Sequence, residues 1–214
     1  MNSDKERKDK VGAGRPAPAF ARIEKVPPLV MLLYLSLVGV TVLFAILVAL
    51  YIQTRANNGS VGSVHPFPRW FSLSTVVLVV SSYVLSQATR LYREDDVSGL
   101  SRCLVSTLIL GCIFAGLQVL GWRELDQQGI FFTGEPSGTY VYLISALHVV
   151  HMLGGMLFLL VLLVRTVYAA RDGVRTLVFI RNPYRRLQLR LLGIYWHFID
   201  GLWVALFMMF LFLF

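Results

Sequence analysis

Five long apolar runs set the pattern of this chain, and polar connectors of very different composition separate them. The runs cover about residues 29–52, 70–88, 103–122, 139–164 and 191–214. Each approaches or exceeds the ~20 residues that a helix needs to cross a hydrocarbon layer of ~30 Å. None shows the ~10-residue alternating segments of a membrane β-barrel. The pattern therefore predicts an all-α, polytopic membrane bundle of five transmembrane helices over residues 27–214. Pro27 and Pro28 open the first of them. Proline is tolerated in a first helical turn because its missing N–H would have no partner there. Residues 1–26 are polar, are interrupted by Pro16 and Pro18, and read as a mobile cytoplasmic tail.

The connectors add an orientation. All but three of the 20 Lys and Arg residues fall in the tail, in the 90–102 connector and in the 165–190 connector; the exceptions are Arg55, Arg69 and Arg123. The positive-inside rule then places the N-terminus in the cytoplasm and the C-terminus outside, and an odd number of spans agrees. The net charge of +8 is thus a topological signal and no sign of a nucleic-acid partner. The 165–190 connector is the most basic, and Arg181, Arg185, Arg186 and Arg190 are candidates to meet anionic lipid head groups.

A chain that is 56% hydrophobic has far more apolar sequence than a soluble domain of this size needs. Cys103 and Cys112 share one run. Their helical separation of about 13.5 Å is too long for a disulfide, so they read as reduced packing residues. Gly111 and Gly116 in the same run, and Gly154 and Gly155 in the next, would admit close helix contacts.

Candidate chemistry is sparse. Asp200 is the only acid well inside an apolar run, where charging it costs at least ~2.5 kcal/mol and such a residue usually faces protein or water. His197 lies three residues before it and Trp203 three after, in one helical neighbourhood. His148 and His151 share a helical face with Gly155, and Gln118 lies inside the third run. One reading is a metal or haem site on His148 and His151, with His197 as a second ligand. The other is a structural polar seam of His148, His151, His197, Asp200 and Gln118, bonded across helices, with His197 and Asp200 facing the His148–His151 helix. The ligand and cluster spacings of metal sites are missing, as are nucleotide motifs and phosphate loops. No catalytic, cofactor-binding or metal-binding residue is therefore assigned to the chain. Tyr195, Trp196 and Trp203 read as packing and interface anchors. From the residues alone, an accessory membrane subunit and a small proton-coupled transporter using Asp200 and His197 both remain open.

His148-Val-Val-His151-Met-Leu-Gly-Gly155 in the fourth run, a basic connector, and then Tyr195-Trp196-His197-Phe198-Ile199-Asp200 with Trp203 in the fifth resemble subunit III of the haem–copper oxidases. Gln118 resembles the Gln of that family's preceding helix. Five runs match the family's short form, which lacks the first two helices of the seven-helix form. The resemblance implies a non-catalytic accessory subunit of a respiratory terminal oxidase, foremost cytochrome c oxidase, in a bacterial cytoplasmic membrane. It implies packing on the catalytic subunit I and other oxidase subunits, within the respiratory chain or a larger supercomplex, and bound phospholipid. Haem and copper would sit in those partners, and this subunit would support stability and proton uptake. Subunit III of a quinol oxidase, or a nitric oxide reductase accessory protein, would share the motifs. The first run lacks the acid that the long form buries in the matching helix, and Gly121 stands where the family often has Glu. A proton-antenna role through those carboxylates therefore does not carry over.

Overall fold

The computed structural model describes residues 27–57, 68–132 and 136–213; the expected tail over residues 1–26 lies outside them. Among the described residues the chain forms seven helices and no strand. They are α1 (Pro28–Asn57), α2 (Arg69–Ser86), α3 (Ala88–Arg93), α4 (Val97–Gln127), α5 (Pro136–Ala169), α6 (Gly173–Arg181) and α7 (Pro183–Leu213). Five stretches are long and apolar enough to cross a membrane: α1, α2 continued through α3, α4, α5 from Gly138, and α7. The expected multi-pass, all-helical architecture is the observed one.

The helices overrun the apolar runs at most ends. The run measures the thickness of the hydrocarbon, whereas caps decide where a helix begins and ends. In the 90–102 connector, the Asp96 carboxylate accepts from the N–H of Gly99 at 2.8 Å and starts α4 inside charged sequence. In the 165–190 connector, Asp172 accepts from the N–H of Val174 at 3.2 Å and starts the short α6.

Buried positions advance by alternating steps of three and four in every spanning helix. In α7 they are Leu189, Leu192, Trp196, Ile199, Trp203, Leu206 and Phe210. In α4 they are Leu100, Leu104, Thr107, Gly111, Phe114, Gln118, Gly121 and Leu125. The α2 series Phe71, Ser74, Leu78, Ser81 and Leu85 continues through Ala88 and Tyr92 of α3. A 3.5-residue seam is the signature of left-handed packing at small crossing angles, which most membrane bundles adopt. The seams close a ring in which α2 packs on α4, α4 on α5, α5 on α7 and α7 on α2. α1 lies outside the ring against α5 and α7, and buries Leu37, Val40, Phe44 and Tyr51 along the same repeat.

Close approach depends on a few small residues. A β-carbon at Gly121 would stand 2.5 Å from the Phe71 ring, so the α2–α4 contact requires glycine there. Gly111 meets Met156 of α5, but Gly116 faces open space. The expected contact at Gly116 is therefore not made, because it lies off the seam. Gly121→Ala should destabilise the detergent-solubilised protein by about 1–3 kcal/mol, the usual cost of overpacking. Gly116→Ala should be neutral or stabilise by up to about 1 kcal/mol through helix propensity. Thermal unfolding of the two variants side by side checks the contrast.

Candidate functional site

The densest polar structure of the chain lies between α2 and α7, which run antiparallel. The indole N–H of Trp196 donates to Ser81 Oγ at 2.9 Å, and that of Trp203 donates to Thr75 Oγ1 at 3.0 Å. The Ser82 hydroxyl and His197 Nδ1 share a hydrogen bond of 2.6 Å. Trp196 and Trp203 are one heptad apart, so both indoles reach the same neighbour. Two of the α2 hydroxyls are held by their own helix: Ser74 and Thr75 both donate to the carbonyl of Phe71, each at 2.8 Å. Their oxygens are then turned to accept. Thr75 accepts from Trp203, and Ser74 accepts from Gln118 Nε2 of α4 at 2.9 Å. One turn of α2 thereby links three helices, and the Phe71 ring packs edge-on to Trp203 within the same turn.

A second set of contacts joins α4, α5 and α7. Trp122 of α4 donates to Ser145 Oγ at 2.9 Å, and Tyr142 donates back to the carbonyl of Trp122 at 3.0 Å. Tyr195 of α7 lies across Gly155, where a β-carbon would come within 2.9 Å of the ring. Its hydroxyl donates to the carbonyl of His151 at 2.9 Å. His148 is fully buried at the meeting point of four helices, with the rings of Phe44, Phe114 and Trp203 at centroid distances of 6.4, 5.7 and 4.8 Å. Neither of its ring nitrogens has a hydrogen-bond partner among the described residues.

The expected seam residues therefore fall into separate environments. Gln118 bonds across helices to α2. His148 sits in an aromatic cage. His151 is half-buried, with Nδ1 at 2.8 Å from the carbonyl of Leu147 in its own helix. His197 faces α2 and is exposed on the outer surface of the bundle. The expectation that His197 faces the His148–His151 helix is corrected: one residue along from Trp196, its ring is carried out of the seam. Asp200 is buried, with Ser82 the polar side chain that interacts with it. Among the described residues, neither carboxylate oxygen has a hydrogen bond of good geometry. Trp196 and Trp203 are at most 1% exposed, so they are core donors and not interface anchors.

Ser74, Thr75, Ser81 and Ser82 are common residue types, and only their spacing along α2 marks them as partners: Thr75 and Ser81 for the indoles, Ser74 for Gln118 and Ser82 for His197. Among the candidate lipid contacts, Arg185 is half-buried and donates to Gln188 Oε1 at 2.8 Å. Arg181, Arg186 and Arg190 are exposed. Among the described residues, no group of three or more His, Cys, Asp or Glu side chains is placed to hold a metal ion.

The fold and this seam define a multi-pass helical membrane protein whose interior polar side chains bind its helices to one another. The chain is 31% identical over 169 residues to the probable cytochrome c oxidase subunit 3 of Mycobacterium bovis, covering 77% of each chain. It is 30% identical over 177 residues to cytochrome c oxidase subunit 3 of Bacillus sp. (strain PS3), covering 81% of this chain and 80% of that one. The Bacillus subtilis cytochrome c oxidase subunit 3 is 27% identical over 180 residues. No family model matches the chain. The chain belongs to the cytochrome c oxidase subunit 3 family.

Hydrogen bonds between membrane helices average about 0.6 kcal/mol and reach about 1.7. A double-mutant cycle of Ser81→Ala and Trp196→Phe, read by unfolding in detergent, should return a coupling in that range. The same cycle between Ser81→Ala and the distant Trp122→Phe should return none.

Proposed function

We propose that this chain is the non-catalytic accessory subunit III of a cytochrome c oxidase in a bacterial cytoplasmic membrane. The observation that carries the reading is the match to subunit 3 relatives along more than three quarters of both chains. The geometry supports it in two ways. The interior polar groups are largely spent on joining helices, as a packing subunit requires. The His197–Ser82 pair stands near the middle of α7, on the outside of the bundle. Polar groups at such a depth usually face protein or water and not lipid. Another transmembrane chain of the oxidase would cover the pair, and we assign that place to the catalytic subunit I. Any wider respiratory supercomplex would form through that partner.

In this reading haem and copper belong to the neighbouring subunits, and cytochrome c is their electron donor. The subunit supports proton uptake by stabilising the partner and organising lipid at its surface, and not by a relay. Among the described residues, Asp200 is the one acid whose side chain is buried in the spans. The basic connectors lie on the cytoplasmic side, with the N-terminus inside and the C-terminus outside. His148, His151, His197, Asp200 and Gln118 act as structural groups of the seam.

Mild-detergent isolation through a tag on this chain should recover haem-bearing subunits and a dinuclear copper centre, the mark of a cytochrome c oxidase. Haem without that copper would move the assignment to a quinol oxidase. Solute transport by the purified chain alone in liposomes would contradict the subunit reading. Alkaline phosphatase fused to the C-terminus should be active in the periplasm; an inactive fusion would reverse the orientation.

A further inference from the structure

The outward face of α7 differs from that of the other spanning helices. α1, α2, α4 and α5 turn large aliphatic side chains outward, among them Leu35, Val76, Ile109 and Val150. In α7 the exposed residues between Tyr184 and Met208 are Arg186, Arg190, His197, Gly201 and Ala205, and Gly193 is half-buried in line with them. Gly193, His197, Gly201 and Ala205 repeat every four residues. Along that stretch of about 18 Å, His197 is the one exposed side chain larger than a methyl group.

The two glycines of this stripe are not used by the packing of the chain itself. Among the described residues, a β-carbon at Gly193 or Gly201 would meet no side chain and no neighbouring helix within 4 Å, whereas one at Gly121 or Gly155 would strike a ring of the next helix. Glycine inside a helix is less stable than alanine. Small residues four apart are what membrane helices use to bring two backbones together, in right-handed crossings near about −40°. The buried seam of α7 steps by three and four, so the outer spacing belongs to a different contact. Gly39 and Gly116 also face open space, but each is flanked one turn away by exposed large residues, Leu35 and Leu43 for the first and Ile113 and Val119 for the second.

Behind the stripe lies an acid in want of a partner. Asp200, next to Gly201, is 4% exposed, and among the described residues neither of its carboxylate oxygens has a hydrogen bond of good geometry. The polar side chain beside it is Ser82, whose hydroxyl is shared with His197 Nδ1 at the surface. That is the one side-chain hydrogen bond of His197 among the described residues, and it leaves Nε2 to a group outside the chain. A single hydroxyl thus serves both a buried acid and an exposed ring at the middle of the stripe, at a depth where hydrocarbon supplies no further partner.

We propose that this face of α7 receives one transmembrane helix of the partner oxidase chain, which crosses at close range over Gly193 and Gly201 and presents a hydroxyl or amide side chain to His197 Nε2. The inference deepens the function proposed above and rests on that reading. It turns a partner that covers the His197–Ser82 pair into one helix with a crossing point and a required polar residue. An acyl chain fills a groove but has no group to offer Nε2.

The test uses the oxidase isolated in mild detergent through a tag on this chain, with haem per tagged chain as the readout. Gly193→Leu and Gly201→Leu should each lower it by about tenfold, which corresponds to about 1.4 kcal/mol and lies within the usual cost of overpacking. The amount of tagged chain in the membrane should be unchanged, because both side chains enter open space. Gly116→Leu, which enters open space on α4, should keep the haem. His197→Phe keeps a ring without its nitrogens and should lower the haem about threefold, the factor for an average hydrogen bond between membrane helices. Full haem retention in both leucine variants at α7 would overturn the proposal and leave the oxidase reading standing. An equal loss with Gly116→Leu would also overturn it. So would loss of a self-associated form of this chain with the haem retained, which would give the face to a second copy. Absence of haem from the wild-type preparation would instead overturn the oxidase reading, and the proposal with it.

Discussion

Everything in this bundle depends on how α2 receives the two tryptophans of α7. In hydrocarbon an indole N–H has no water to bond, and a neighbouring helix must supply the acceptor. Trp196 and Trp203 stand one heptad apart and find Ser81 and Thr75, six residues apart on an antiparallel helix. Those two bonds set the register of α7 against α2. The same turn of α2 takes Gln118 on Ser74 and seats the Phe71 ring against Gly121, which sets α4. With α2, α4 and α7 in place, α5 closes the ring through Gly155 under Tyr195 and Ser145 under Trp122.

The ring explains why the residues of the last span differ so much in their roles. Neighbours in sequence are separated by about 100° around a helix. Trp196 is therefore inside, and His197 is at the edge where it can still reach Ser82 but is otherwise outside. Asp200 returns to the interior beside Ser82. A motif that reads as one cluster in sequence is in space a core donor, a surface pair and a buried acid. The outer position of α1 follows from the same closure. Its seam meets α5 and α7, and most of its apolar surface is left for lipid or for a partner.

The fold was largely legible in the sequence, because the spacing of apolar runs and charged connectors answers directly to bilayer thickness. Fold class and the number of spans came from that pattern. The helix ends did not, since Asp96 and Asp172 start helices inside charged connectors where hydropathy is silent. The seam was legible in part. Its members on α5 and α7 are conspicuous as rare His and Asp residues, whereas the hydroxyls of α2 are common residue types whose meaning is positional. The direction of His197 was misread because it was placed on the inner face with Asp200, whereas it stands one residue, about 100° around the helix, from Trp196 and falls at the edge of the seam.

The central claim is that a bundle closed by the α2–α7 seam presents His197 and Ser82 to another oxidase chain inside the membrane. Site-specific photo-crosslinking tests it most directly, with His197→benzoylphenylalanine in the intact membrane and the outward Val150 on α5, which is 61% exposed, substituted as the comparison. The account predicts a cross-link from position 197 to a haem-bearing subunit. Cross-links from position 197 to lipid alone would contradict it.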